Sequence, residues 1–196
     1  MYFRYITAGL ILVSILFPSI GTGQSNDPFA YAGIGIEWGS WHPNNLRIAG
    51  HGLSLKSMND NLYISGFALA PVANGFALRF TVGYFRHTAP DKSYKTIELM
   101  PILLDIKYQL IAESRLSPYV SYGISSCAGQ QSPKKDNEYD LGYGLNFGTG
   151  FDLLMSRRIA LGCEFRYHYL RFEKPMVITD DFSGPKVNVS LYYLFK

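Results

Sequence analysis

The chain has 196 residues, of which 47% are hydrophobic, 15% aromatic and 17% charged, with 19 Gly and 2 Cys. That length suits one domain, and charge is too sparse and aromatics too frequent for a disordered polymer. A formal net charge of +3, with no basic run longer than Lys134-Lys135, excludes a nucleic-acid footprint, and two Cys exclude a disulfide-stapled mini-protein.

Residues 1–23 read as a secretory signal. Arg4 supplies the positive start, residues 6–17 the apolar stretch, and Pro18 ends it. Gly21 and Gly23 suit peptidase cleavage before Gln24. The stretch is shorter than the roughly 20 apolar residues of a spanning helix. The expected organisation is a signal peptide over 1–23 and one barrel domain over 24–196.

From residue 29 onward the chain alternates apolar and polar residues with period two. Strands are expected at 29–41, 62–70, 76–87, 96–110, 118–129, 141–154, 159–172 and 186–195. The seventh is the cleanest: Ile159, Leu161, Cys163, Phe165, Tyr167 and Tyr169 share one face. Ala160, Gly162, Glu164, Arg166 and His168 share the other. In the fourth, Glu98 is out of phase with Asp105 and Lys107, which predicts a bulge at Met100-Pro101 that turns all three charges to one side. Short connections at 71–75, 111–117 and 155–158 alternate with longer polar ones at 42–61, 88–95, 130–140 and 173–185. One rim of tight turns and one of large loops is the arrangement of an outer-membrane barrel.

The expected fold class is therefore an all-β, eight-stranded, antiparallel, up-and-down transmembrane β-barrel. Its narrow lumen must be filled by side chains, and charges there must pair. The polar faces supply small residues and both signs of charge. The expected lumen network is Glu37, Arg79, Glu98, Asp105, Lys107, Asp152, Glu164, Arg166 and His168. Aromatics near strand ends, Trp38, Trp41, Tyr84, Tyr119, Tyr167 and Tyr193, are expected to form girdles at the lipid headgroups. The opposite orientation, with the apolar face inside, would make a secreted ligand-binding barrel instead.

Residues 29–196 resemble the small outer-membrane β-barrel proteins of Gram-negative bacteria. The resemblance rests on Tyr31-Ala32-Gly33-Ile34-Gly35, on Ser117-Pro118-Tyr119-Val120-Ser121-Tyr122-Gly123, on the run of alternating glycines from Gly142 to Gly150, and on the aromatic end of the last strand. Phe195 resembles the C-terminal aromatic insertion signal of that family, although Lys196 follows it. The resemblance implies an outer-membrane location, no enzymatic activity for most members and no cofactor. The expected partners are outer-membrane lipid, lipopolysaccharide and the barrel-assembly machinery, and the expected state is a monomer.

Chemistry is thinly represented. Arg166-Tyr167-His168 is similar to the run around the histidine of lipid A deacylase barrels, but Leu170 and Arg171 stand where that family has Ser and Asn. A histidine without its hydroxyl has no nucleophile to activate. His42, His87, Asp91 and Ser93 lack a specific acyltransferase grouping. Gly39-Ser40-Trp41 closes a strand instead of opening one as in lipocalins. His42, His51, His87 and His168 have no metal-ligand spacing. Cys127 and Cys163 fall on separated strands, so no bridge is expected. Asp180-Asp181 and Lys134-Lys135 read as solvated loop residues.

Overall fold

The computed structural model describes residues 31–44, 61–73, 75–88, 96–111, 114–132, 139–176 and 179–195. The expected signal segment, His51, Asp91, Ser93 and Lys134-Lys135 lie outside them. The strands are β1 Gly33–Trp41, β2 Asn61–Ala73, β3 Phe76–Thr88, β4 Thr96–Gln109, β5 Leu116–Ser132, β6 Asp140–Leu154, β7 Ile159–Met176, β8 Thr179–Asp181 and β9 Gly184–Leu194.

Every pairing is antiparallel. The sheet runs β6-β5-β4-β3-β2-β1-β9-β7, and β6 also pairs with β7, so it closes into a ring of eight. Closure gives every wall strand a partner on both sides, so the sheet has no open edge. β8 is an addition to β7 at the loop rim, where Arg171 pairs with Asp181 and Met176 with Thr179. Part of the connection expected over 173–185 is thus a hairpin that prolongs β7 beyond the wall.

The period-two pattern decides orientation. Ile34, Ile64, Val82, Ile102, Leu104, Ile124, Leu145, Phe147, Phe165 and Leu191 all face outward, and Phe147 is 60% exposed. The buried residues include Glu37, Arg79, Asp105, Lys107, Asp152, Glu164, Arg166 and Lys186. The greasy face is outside and the charges are inside. A soluble carrier barrel has the reverse arrangement. Among the described residues no helix is long and apolar enough to cross a membrane.

The bulge expected at Met100-Pro101 is absent. β4 keeps one continuous register with β5, from Thr96 opposite Ser132 to Gln109 opposite Tyr119. Pro101 has no N–H to donate, and the β3–β4 ladder skips the pairs between Val82–Ile102 and Phe85–Leu99 without a shift. The proline is accommodated by a gap in the hydrogen bonding. The register irregularity of this region falls in β2 instead, between Pro71 and Ala73 beside the turn to β3.

Candidate functional site

The lumen is stacked in three layers. At the loop end, Trp41, Tyr63, Phe85, Ile97, Leu99, Cys127, Leu170, Phe172 and Phe182 form one apolar cluster. At the turn end, Phe67, Leu69, Leu154, Ala160, Tyr192 and Leu194 form another, with Tyr31 and Ala77 packed on it. Between them lies an ionic belt. Each layer follows from the same inward parity, by which every wall strand sends alternate residues into the lumen.

Arg79 from β3 is the hub. Its guanidinium donates to Glu37 Oε1 (3.3 Å), Asp105 Oδ2 (3.2 Å) and Glu164 Oε1 (2.9 Å). Arg166 from β7 donates to Asp105 Oδ2 (2.7 Å), Asn146 Oδ1 (2.9 Å) and Glu164 Oε1 (2.9 Å). Ser65 donates to Glu37 Oε2 (2.9 Å) and Ser121 to Glu164 Oε1 (3.0 Å). Lys107 binds Asp152 and lies over the Tyr119 ring, 3.8 Å from its centroid. Lys186 lies 3.6 Å from Glu37 and 3.9 Å from the Tyr63 centroid. Among the described residues the buried formal charges are four cations, Arg79, Lys107, Arg166 and Lys186, and four anions, Glu37, Asp105, Asp152 and Glu164. That balance is what a lumen of low dielectric requires, because an unpaired ion there is strongly disfavoured.

Glycines make room for the belt. A Cβ on Gly148 would lie 2.6 Å from Ser121 Oγ and 2.8 Å from Glu164 Oε1. On Gly83 it would lie 2.6 Å from the Tyr63 hydroxyl. The alternating glycines of β6 thus leave one wall low enough for the long side chains of the others.

Eight of the nine residues expected in the lumen network are there: Glu37, Arg79, Asp105, Lys107, Asp152, Glu164, Arg166 and His168. Glu98 is not. With the β4 register unbroken it faces outward at the loop rim, where it accepts hydrogen bonds from Tyr84 Oη (2.8 Å) and Gln130 Nε2 (2.9 Å). His168 is 1% exposed, and its ring packs at a 42° tilt against Trp41, with centroids 5.0 Å apart. Lys186, Asn188 and Tyr192 also line the lumen, although the expected network does not include them. Their signal was parity with Ser190, which also faces inward.

Two of the aromatics expected at the lipid headgroups lie elsewhere. Trp41 and Tyr119 point into the lumen, Trp41 fully buried against Phe85 at 4.9 Å. Both share the inward parity of their strands, and that outweighs nearness to a strand end. Trp38, Tyr84, Tyr167 and Tyr193 face outward. Phe195 is exposed, its ring 5.6 Å from that of Tyr193 and its N–H bonded to Ala32 O at 2.8 Å. Cys127 and Cys163 are both free, on β5 and β7 with β6 between them. Among the described residues no three His, Cys, Asp or Glu side chains are grouped to hold a metal.

No protein-family model matches the chain, and no curated protein matches it. Solved structures do. The outer membrane protein OprG of Pseudomonas aeruginosa superposes with a TM-score of 0.62 at 13% identity, covering 85% of this chain and 96% of that one. Neisserial surface protein A gives 0.60 at 15% identity, covering 84% and 96%. Ail, the attachment invasion locus protein of Yersinia pestis, gives 0.51 at 12% identity, covering 84% and 97%. At such identities the likeness is one of fold: this chain has the fold of the small eight-stranded outer-membrane β-barrels.

Proposed function

We propose that the protein is a monomeric, non-enzymatic barrel of the outer membrane that displays its long loops outside and conducts no appreciable ion current. The observation that carries this reading is the three-layered lumen: eight mutually neutralised charges between two apolar plugs. An interior of this size is filled by side chains, and a path for ions would have to cross both plugs. The outward apolar wall supports a bilayer location, as do neighbours named as outer membrane proteins. Neighbours named as a surface protein and as an attachment invasion locus protein support a loop-presenting role.

The geometry gives no support to acyl-transfer chemistry. His168 is sealed beneath Trp41 inside the lumen, with Leu170 in the apolar plug and Arg171 outside. An acyl chain in the bilayer meets the outer wall, on the far side of the sheet from that imidazole.

Fractionation tests the location. The protein should stay with the outer membrane, require detergent for release and migrate differently on gels before and after boiling. Planar-bilayer recordings should show no steps above background. Release without detergent, or sustained single-channel steps, contradicts the reading. A changed lipid A acylation pattern on expression, read by mass spectrometry, would restore an enzymatic one.

A further inference from the structure

The turn rim carries an arc of three arginines. Arg115 ends the connection before β5, and Arg157 and Arg158 lie in the connection between β6 and β7. The register brings the two connections together: Leu154 N–H donates to Arg115 O (2.8 Å), and an Arg115 Nη2 donates to Leu154 O (3.4 Å). The second connection is ordered by Ser156, whose Oγ accepts from the N–H groups of Arg158 (3.3 Å) and Ile159 (3.2 Å). All three arginines are exposed, and among the described residues none is paired with a carboxylate. Glu113 is the one acid in these connections, so the arc is net cationic by sequence.

Their placement relative to the bilayer is fixed by neighbours. Arg158 Nη1 donates to the hydroxyl of Tyr193 (3.0 Å), an outward-facing tyrosine on β9. Met155, Ile159 and Leu116 flank the arc and also face outward. Guanidinium groups therefore stand directly above an apolar wall, next to a tyrosine of the kind that sits at headgroup depth. Arginine matches a phosphate oxygen pair through parallel N–H donors.

We propose that Arg115, Arg157 and Arg158 form a docking arc for the phosphate of anionic glycerophospholipids in the leaflet at the turn side. The proposal rests on the membrane-barrel reading above. It gives the turn rim a lipid preference of its own, separate from any partner of the long loops.

The test is native mass spectrometry of the folded full barrel. Micelles are doped with equal phosphatidylglycerol and phosphatidylcholine of matched acyl chains. Phosphatidylglycerol should be retained at least about fivefold over phosphatidylcholine, the factor that the roughly 1 kcal/mol of one basic residue at an anionic surface supplies. R115Q/R157Q/R158Q should bring that ratio close to one. Arg86→Gln, at the opposite rim, should leave it unchanged, and Arg157→Gln alone should lower it partway; that single variant carries the test if the triple one does not fold. Equal retention by the unaltered protein, or a preference that survives Arg157→Gln and the folded triple variant alike, overturns the proposal. The gel shift on boiling separates the two failures: a folded barrel without lipid preference refutes only the arc, and a sample with no shift refutes both.

Discussion

Arg79 and Arg166 approach from opposite walls of the barrel and donate to the same two oxygens, Asp105 Oδ2 and Glu164 Oε1. β3 and β7 stand four places apart in a ring of eight, so these guanidiniums bridge the full width of the lumen. Two cations and two anions form a closed square in which each ion touches both ions of opposite sign. Within such a square no member can be lost without leaving a buried charge short of a partner.

Arg166→Met should therefore destabilise the barrel by about 3–5 kcal/mol, the usual range for breaking a buried pair from one side. Adding Glu164→Gln to it should cost less than the sum of the two single changes, because the second removes a charge that the first left uncompensated. Urea midpoints of the refolded barrel in detergent micelles, followed by gel mobility, read both. Additive losses would mean that the two residues act independently and that the square is not an energetic unit.

Gly148 and Gly66 separate space from backbone flexibility. A Cβ at Gly148 would crowd Ser121 and Glu164, whereas the nearest atom to a Cβ at outward-facing Gly66 is Gly35 O at 3.9 Å. Gly148→Ala should cost about 1–3 kcal/mol through overpacking. Gly66→Ala should be near neutral or slightly stabilising, because alanine lowers the entropy of the unfolded chain. The same unfolding midpoints decide it, and equal effects at the two sites would remove the steric explanation for the glycines of β6.

The two plugs act in series, which sets a condition on any attempt to open the lumen. Phe182 reaches the upper plug from beyond β8: it is fully buried, its ring lies 5.1 Å from Phe172 and its N–H bonds Leu170 O at 2.9 Å. Phe182→Ala should thin that plug and leave conductance at background, because Phe67, Leu69, Tyr192 and Leu194 still close the other end. Phe182→Ala combined with Tyr192→Ala is the pair expected to raise it. Planar-bilayer recordings test the order, and a step current from Phe182→Ala alone would show that the turn-end cluster does not seal.

Much of this was legible in the sequence because a β-wall has only two faces. Parity alone puts Asp105, Asp152, Glu164 and Arg166 on one side and Ile159, Phe165 and Leu191 on the other. Parity outweighs nearness to a strand end: Trp41 is in phase with Glu37 and Tyr119 with Ser121, so both turn inward although each sits near a strand end. Not every strand charge belongs in the lumen: Glu98 keeps its outward parity, and its partners at the loop rim, Tyr84 and Gln130, lie on neighbouring strands and leave no trace in its own. Lys186 was missed because it follows Pro185 at a strand start, where pattern is thinnest. Which charges meet across the lumen was beyond reach. The reach of Arg79 to Glu164 depends on barrel stagger, and a strand's own residues do not encode its height relative to the wall opposite.

Orientation can be tested on one face at two depths. Leu104 is an outward residue in mid-strand on β4, and Val72 is an outward residue beside the turn at the end of β2. If acyl chains surround the wall, Leu104→Arg should cost about 2–4 kcal/mol, while Val72→Arg, near the interface, should cost roughly 0–1 kcal/mol. Water around the wall predicts no dependence on depth: an arginine replacing an exposed apolar residue would be near neutral at either position, since no ion is desolvated. Folding of the two variants into phospholipid vesicles, compared by urea titration, distinguishes these cases. A depth-dependent penalty is expected only where the medium changes from hydrocarbon to headgroup along the strand, so equal midpoints for the two variants would contradict the bilayer placement.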